Sequence, residues 1–128
     1  MSKKVVLDAS ALLAMLFAEP GCEFVASRGN GAVLSSVCYS ETLSKMIDRG
    51  FELADSERII GRLSLRIAAF DSEAAALAAS FRHHTKELGL SFADRACLAL
   101  GLKTGFPVLT ADRRWAEVPG QVKVELIR

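Results

Sequence analysis

The chain has little of what would staple or anchor it. It has three cysteines in 128 residues, an odd number without C-x-x-C spacing, and Cys22, Cys38 and Cys97 all fall inside apolar patterns. That excludes a disulfide framework, argues against a zinc site and leaves the reading of reduced core thiols in a cytoplasmic protein. No apolar run approaches the roughly 20 residues that a membrane-spanning helix needs. The run after Lys3 and Lys4 stops at Asp8 with no small-residue cleavage site behind it, so neither a membrane partner nor secretion is expected. An excess of one charge is also missing. Sixteen basic against fifteen acidic side chains leave +1, so any nucleic-acid contact must come from a local basic patch. No repeat, linker or low-complexity tract divides residues 1–128, which read as a single domain.

What the chain does have is apolar residues, 51% of the total. At this length that is enough to bury roughly two-thirds of the unfolded surface on folding. The stretch around which the rest is organised is Val5-Val6-Leu7-Asp8-Ala9-Ser10-Ala11-Leu12-Leu13. A short apolar run suits a strand buried on both faces of a parallel sheet. It ends on a carboxylate, and a helical apolar pattern begins at once. Ser10 is the expected N-cap, which places Asp8 in the strand-to-helix turn, where open parallel sheets bind their ligands.

The remaining pattern alternates in the same way. A helix runs from Ser10 to the break at Glu19-Pro20-Gly21, and a second spans about Cys22 to Arg28. Gly29-Asn30-Gly31 reads as a turn, Ala32 to Leu34 as a second strand, and Ser36 as the cap of a helix over Val37 to Arg49. That helix is expected to bury Leu43, Met46 and Ile47, with Glu41 on the opposite side. A further helix covers about Ala54 to Leu63, a third strand Arg66 to Phe70, and an alanine-rich helix capped by Asp71-Ser72 runs to about Glu87. A helix from Ser91 ends at Gly105, followed by a fourth strand at Val108-Leu109, a turn at Thr110-Ala111-Asp112, a short helix holding Trp115, and a last, half-exposed strand over Val122 to Leu126. Strands alternating with helices predict a three-layer α/β/α domain around a central parallel sheet of about five strands.

Four acids then fall at the same end of that sheet. Asp8 and Asp112 follow the first and fourth strands, and Glu41 lies within about two helical turns of the second. The short connection Thr104-Gly105-Phe106 makes the helix from Ser91 finish where the fourth strand begins, so Asp94 starts near that strand's far end. In this arrangement the helix from Ser72 to Glu87 must lie across the sheet. Four converging carboxylates repel by about 3 kcal/mol per pair at roughly 5 Å and an effective dielectric of about 20. A divalent cation relieves that, and oxygen-only donors without histidine favour Mg²⁺ or Mn²⁺ over zinc. Such an ion suits metal-assisted hydrolysis of phosphodiesters.

The same residues resemble a known family. Val6-Leu7-Asp8-Ala9-Ser10-Ala11-Leu12-Leu13-Ala14, Ser40-Glu41-Thr42-Leu43-Ser44-Lys45, Leu90-Ser91-Phe92-Ala93-Asp94-Arg95-Ala96 and Pro107-Val108-Leu109-Thr110-Ala111-Asp112-Arg113-Arg114-Trp115 are similar to the acidic motifs of PIN-domain ribonucleases, most of all the VapC-type toxins of bacterial toxin–antitoxin pairs. The resemblance covers almost the whole chain. It implies a Mg²⁺- or Mn²⁺-dependent endoribonuclease that leaves a 5′-phosphate and a 3′-hydroxyl, is usually a homodimer, and is held inactive by a small cognate antitoxin. Asp8, Glu41, Asp94 and Asp112 occupy the positions of the family's acidic quartet, as catalytic and metal-holding residues on RNA. Cys38-Tyr39-Ser40 before Glu41 departs from the usual pattern, and Glu117 is only a loose match for a further acid that some relatives carry.

Each acid also has a structural reading. Ser91-Phe92-Ala93-Asp94 matches a capping box, Asp112 can be an N-cap, and Glu41 can pair with Lys45 at i,i+4. Thr110 is placed to support Asp112. His83 and His84 read as helix surface or dimer contact, Trp115 as core or groove wall, and Lys45, Arg49, Arg95, Arg113 and Arg114 as either solvated charges or phosphate ligands. Two rival classes remain. One is a catalytically silent PIN-like binding module. The other is a phosphorelay receiver using Asp8, Asp71 as phosphoacceptor and Thr110, although Asp8 stands without a second acid beside it and no lysine follows a fifth strand. A haloacid-dehalogenase-like phosphatase would need an aspartate where Ser10 stands.

Overall fold

A computed structural model describes residues 4–28 and 31–128. Among them are five strands, β1 (Val6–Leu7), β2 (Val33–Ser35), β3 (Arg66–Ala68), β4 (Val108–Thr110) and β5 (Val124–Leu126). Seven α-helices are interleaved with these strands: α1 (Ala9–Leu16), α2 (Cys22–Arg28), α3 (Ser36–Asp48), α4 (Leu53–Gly61), α5 (Ser72–Ser80), α6 (Arg82–Thr85) and α7 (Phe92–Thr104). A 3-10 helix follows over Arg113–Glu117. The strands form one parallel sheet in the order β3-β2-β1-β4-β5, with Val6 opposite Val33 on one side and Val108 on the other. This is the expected three-layer α/β/α domain. The turn Gly29-Asn30 lies outside the described residues.

Strand order decides against the receiver reading. A flavodoxin-like receiver sheet runs 2-1-3-4-5, with the third strand beside the first. Here β3 is an edge strand and β1 lies between β2 and β4. Chain direction across the sheet therefore reverses between β1 and β4, and a doubly wound sheet opens its ligand crevice at such a point.

The central strands are buried on both faces, as their uninterrupted apolar runs require. Val5, Val6, Leu7, Leu34, Val108 and Leu109 are wholly shielded from solvent. α1, with α2 packed on it, covers β1 and β4, while α7 lies over β1, β2 and β4 with α5 packed against it. The alanine-rich helix is thus accommodated by packing on α7. Trp115 is fully buried in the same core, and the Arg28–Glu125 ion pair ties α2 to the edge strand β5.

Several boundaries differ from the sequence reading, each for a local reason. α3 is capped by Ser35, whose hydroxyl accepts from Val37 N at 3.2 Å, and not by Ser36, whose hydroxyl accepts from Phe70 N beyond β3. Its buried stripe is Cys38, Thr42 and Met46, leaving Ile47 46% exposed. Thr42 tolerates burial because its hydroxyl donates to the Cys38 carbonyl at 2.8 Å. β3 stops at Ala68 and does not reach Phe70. The helix expected to run to Glu87 breaks at Phe81, whose ring is buried and whose carbonyl accepts from both His84 N and Thr85 N. Cys38 and Cys97 are buried free thiols, whereas Cys22 is only half-buried.

Gly101 shows how closely α7 approaches the sheet. A Cβ there would lie 2.4 Å from a Val108 methyl and 3.1 Å from one of Val122. Gly101→Ala is expected to cost roughly 1–2 kcal/mol in urea unfolding, since overpacking outweighs the helix-propensity gain of up to about 1 kcal/mol. Gly61→Ala on α4, where nothing lies within 4 Å, is expected to stabilise by up to about 1 kcal/mol.

Candidate active site

Asp8 is the centre of the site and is also the N-cap of α1. The helix begins at Ala9, two residues earlier than a Ser10 cap allows. The Asp8 carbonyl takes the Leu12 N–H at 3.1 Å and its carboxylate takes the Ala11 N–H at 2.8 Å. Ser10 is therefore inside the first turn, and its hydroxyl is free to turn back to Asp8, donating at 2.7 and 2.9 Å to the two carboxylate oxygens. The same hydroxyl accepts the Ala111 N–H at 2.9 Å from beyond β4. Thr110 at the end of β4 donates to the second Asp8 oxygen at 2.6 Å and accepts the Asp112 N–H at 3.0 Å. Two hydroxyls thus bolt the β1 turn to the β4 turn across one carboxylate.

That carboxylate is only 5% exposed. Burial pushes its pKa from the ordinary 3.8 up to about 6, against the opposing pull of the Thr110, Ala11 and Ser10 hydrogen bonds, and the nearby Asp94 charge adds to the rise. Glu41 is raised as well, first by partial burial and further by Asp94, with Lys45 acting in the opposite direction. Asp112 is lowered, chiefly because the Arg114 guanidinium donates to it. Acids with different proton affinities therefore share one site.

Each of the other three acids is placed by its own element. Asp94 is the third residue of α7 in a full capping box: its carboxylate accepts from Ser91 N at 2.8 Å, and its own N–H donates to the Ser91 hydroxyl at 3.2 Å. Asp112 caps the 3-10 helix through Arg114 N at 3.0 Å, and Arg114 also donates to the Leu88 and Gly89 carbonyls at 3.0 and 3.2 Å. Glu41 projects from the second turn of α3, four residues before Lys45. The structural readings of Asp94 and Asp112 are thus correct as local chemistry, and both residues still reach the common site.

All four acids line one cleft of about 440 Å³, together with Ser10, Leu13, Glu19, Lys45, Arg49, Gly89, Ser91 and Arg114. Its titratable walls hold five carboxylates against three cations, an excess of two negative charges when all are ionised. Among the described residues no three acids, histidines or cysteines are grouped closely enough to hold a metal ion as they stand. The reason is visible above, since Asp8, Asp94 and Asp112 each turn towards a local donor. The residues nevertheless fit a hard divalent ion. Their donors are oxygen only, and one such charge balances the excess. Asp8, Glu41, Asp94 and Asp112 would hold it.

Other expected participants are elsewhere. Glu117 and Arg113 are exposed on the 3-10 helix and do not line the cleft, nor does Arg95. Asp71 caps α5 and lines a separate groove beside β3, so it does not meet Asp8. Ser10, Glu19 and Ser91 are the polar cleft residues to which sequence reasoning gave no part in the site. Ser10 had a signal in its position two residues past Asp8, and Glu19 was hidden in what reads as a plain helix stop.

A doubly wound sheet with an all-oxygen acidic cleft at its switch point defines a class of α/β domain that gathers carboxylates from separate motifs. The PIN domain family model matches residues 5–121, and the chain belongs to that family. No curated protein matches the sequence. Among solved structures, a toxin–antitoxin complex from Klebsiella pneumoniae contains a chain 15% identical with a TM-score of 0.76, covering 97% of this chain and 98% of that one. VapC20 of Mycobacterium tuberculosis, a Sarcin-Ricin loop cleaving toxin, is 17% identical with a TM-score of 0.73, covering 93% and 98%. DNA-bound VapBC from Salmonella typhimurium is 18% identical at a TM-score of 0.73, covering 98% of each chain.

The raised Asp8 pKa has a measurable consequence in metal-free protein. At low pH the group is neutral in both states. Above pH 3.8 the unfolded chain ionises it while the folded chain does so only near pH 6, so native stability falls across that window and stays lower above it. Asp8→Asn keeps a cap acceptor and has no such penalty. In urea unfolding with chelator, the stability of the variant minus that of wild type is expected to rise between about pH 4 and 6 by up to about 3 kcal/mol, then level off. A flat difference would mean that the hydrogen bonds fully offset the burial.

Proposed function

We propose that this chain is a divalent-metal-dependent endoribonuclease and the toxin of a toxin–antitoxin pair. The observation that carries this reading is the convergence of Asp8, Glu41, Asp94 and Asp112, from four separate elements, on one cleft with two uncompensated negative charges. Its support in function comes from the PIN family match and from similar chains whose names describe a Sarcin-Ricin loop cleaving toxin and toxin–antitoxin complexes. The cognate antitoxin is accordingly the expected protein partner, the active form a homodimer, and the location cytoplasmic. Among the described residues no helix is long and apolar enough to cross a membrane.

Bound Mg²⁺ or Mn²⁺ would supply charge to the scissile phosphate and acidify an attacking water. The chain's own residues do the rest. Ser10, Thr110 and the Ala11 N–H fix the direction of the oxygens of Asp8, the one acid of the set held from two separate turns. Glu41 is not tied to a cap and has a raised proton affinity, which suits it to take the proton as water attacks the phosphorus in line. The P–O3′ bond breaks and the leaving 3′-oxygen takes a proton from solvent, giving a 3′-hydroxyl and a 5′-phosphate.

The test is cleavage of a mixed structured-RNA pool by wild type and Asp94→Asn, each with manganese and with chelator. Asn retains a carbonyl to accept from Ser91 N, so the fold should survive while a ligand charge is lost. The expected result is manganese-dependent cutting by wild type and chelator-level cutting by a variant with an unchanged unfolding midpoint. Equal cutting by both proteins would overturn the assignment of Asp94, and no cutting by antitoxin-free wild type would favour a silent binding module.

A further inference from the structure

We propose that the cleft face of α3 is a phosphate track for single-stranded RNA, with Lys45 and Arg49 as successive phosphate ligands leading away from the acids. This rests on the nuclease reading above and adds where the strand runs. Glu41 and Lys45 of α3 and Arg49 at its C-cap all line the cleft and lie at i, i+4 and i+8, so they form a row along one side of the helix. Each step along that row is about 6 Å, four residues at 1.5 Å rise. Neighbouring phosphates of an extended strand are separated by a similar distance. The row begins on a carboxylate proposed for catalysis and continues as two cations, so a phosphate held at Lys45 is adjacent to the one being cut.

The surroundings of the basic side chains separate binders from braces. Arg114 is spent on Asp112 and on the Leu88 and Gly89 carbonyls, which makes it a brace for the 3-10 helix. Lys45 is exposed and forms no ion pair with a described residue, leaving its ammonium available as a point charge. Arg49 is held ready in another way. Its guanidinium sits 4.1 Å above the Phe17 ring centroid and donates to Glu19 Oε2 at 3.1 Å. Ring stacking fixes the plane of the fork, and an incoming phosphate replaces the single Glu19 contact with a bidentate one. Glu19 is thus a rim carboxylate that competes with the strand for Arg49. An unpaired strand is the occupant because the row follows the backbone of one strand, and a cleft of about 440 Å³ does not admit the two strands of a duplex together.

The test is fluorescence anisotropy of a short, unstructured, labelled RNA with Mg²⁺ present, in the Asp94→Asn background so that the probe survives. Affinity is measured over a series of monovalent salt concentrations. Each single-strand phosphate contact contributes about 0.7 to the slope of log affinity against log salt. Lys45→Ala and Arg49→Ala are each expected to lower the slope by about 0.7 and to weaken binding, with Lys45→Arg restoring it. Glu19→Gln is expected to tighten binding without lowering the slope. Unchanged slopes in both alanine variants, alongside metal-dependent cutting by wild type, would overturn the track and leave the nuclease reading intact. Wild type that neither cuts nor binds RNA would overturn both. Slopes that stay constant while the alanine variants lose antitoxin affinity would reassign the row to a protein contact, again overturning the track.

Discussion

The Asp8 carboxylate, buried where β1 ends and held by donors from two separate turns, is the interaction on which the rest of the site depends. It caps α1 through Ala11, and it receives Ser10 from its own turn and Thr110 from the end of β4. Because β1 and β4 are neighbours at the reversal of the sheet, those bonds close the crevice floor at the place where winding direction changes. Asp112 follows Thr110 by two residues and is delivered to the same cleft by that closure. The energetic tension is plain: burial disfavours the charge, and three donors lean the other way without fully cancelling it.

Much of this was legible from residue order. Parallel strands were readable because Val5 to Leu7 and Val108-Leu109 are uninterrupted apolar runs, and the acids follow from where those runs stop. Asp94 was placed by the shortness of Thr104 to Phe106. What could not be read were choices between adjacent donors and acceptors. Ser10 and Asp8 are both good caps, and the decision went to Asp8 because only then can Ser10 reach Ala111 across the sheet. The same holds for Ser35 over Ser36, settled by the distant Phe70 N–H. The α3 stripe was misread because buried Thr42 satisfies its hydroxyl within its own helix, a bond that no hydropathy pattern reports.

The capture of Asp112 by Arg114 was illegible for a similar reason. The two are only two residues apart, a spacing that does not bring side chains together on an α-helix, and the contact arises because the segment is a cap followed by a 3-10 turn. Arg114 then spans to the Leu88 and Gly89 carbonyls. The loop before α7 and the turn after β4 are thereby fastened from the outside, as Ser10 and Thr110 fasten the inner turns.

Three of the four acids serve as helix-start residues: Asp8 for α1, Asp94 within the α7 capping box and Asp112 for the 3-10 helix. On the proposed reading the same oxygens serve both the folding code and the chemistry, so selection would not vary one without testing the other. A gene descended from this one that abandoned catalysis would still be pressed to keep Asp or Asn at those positions merely to fold. Glu41, which caps nothing, is the acid such a lineage could surrender freely, so its presence or absence among descendants is the more informative mark of whether the chemistry is still in use.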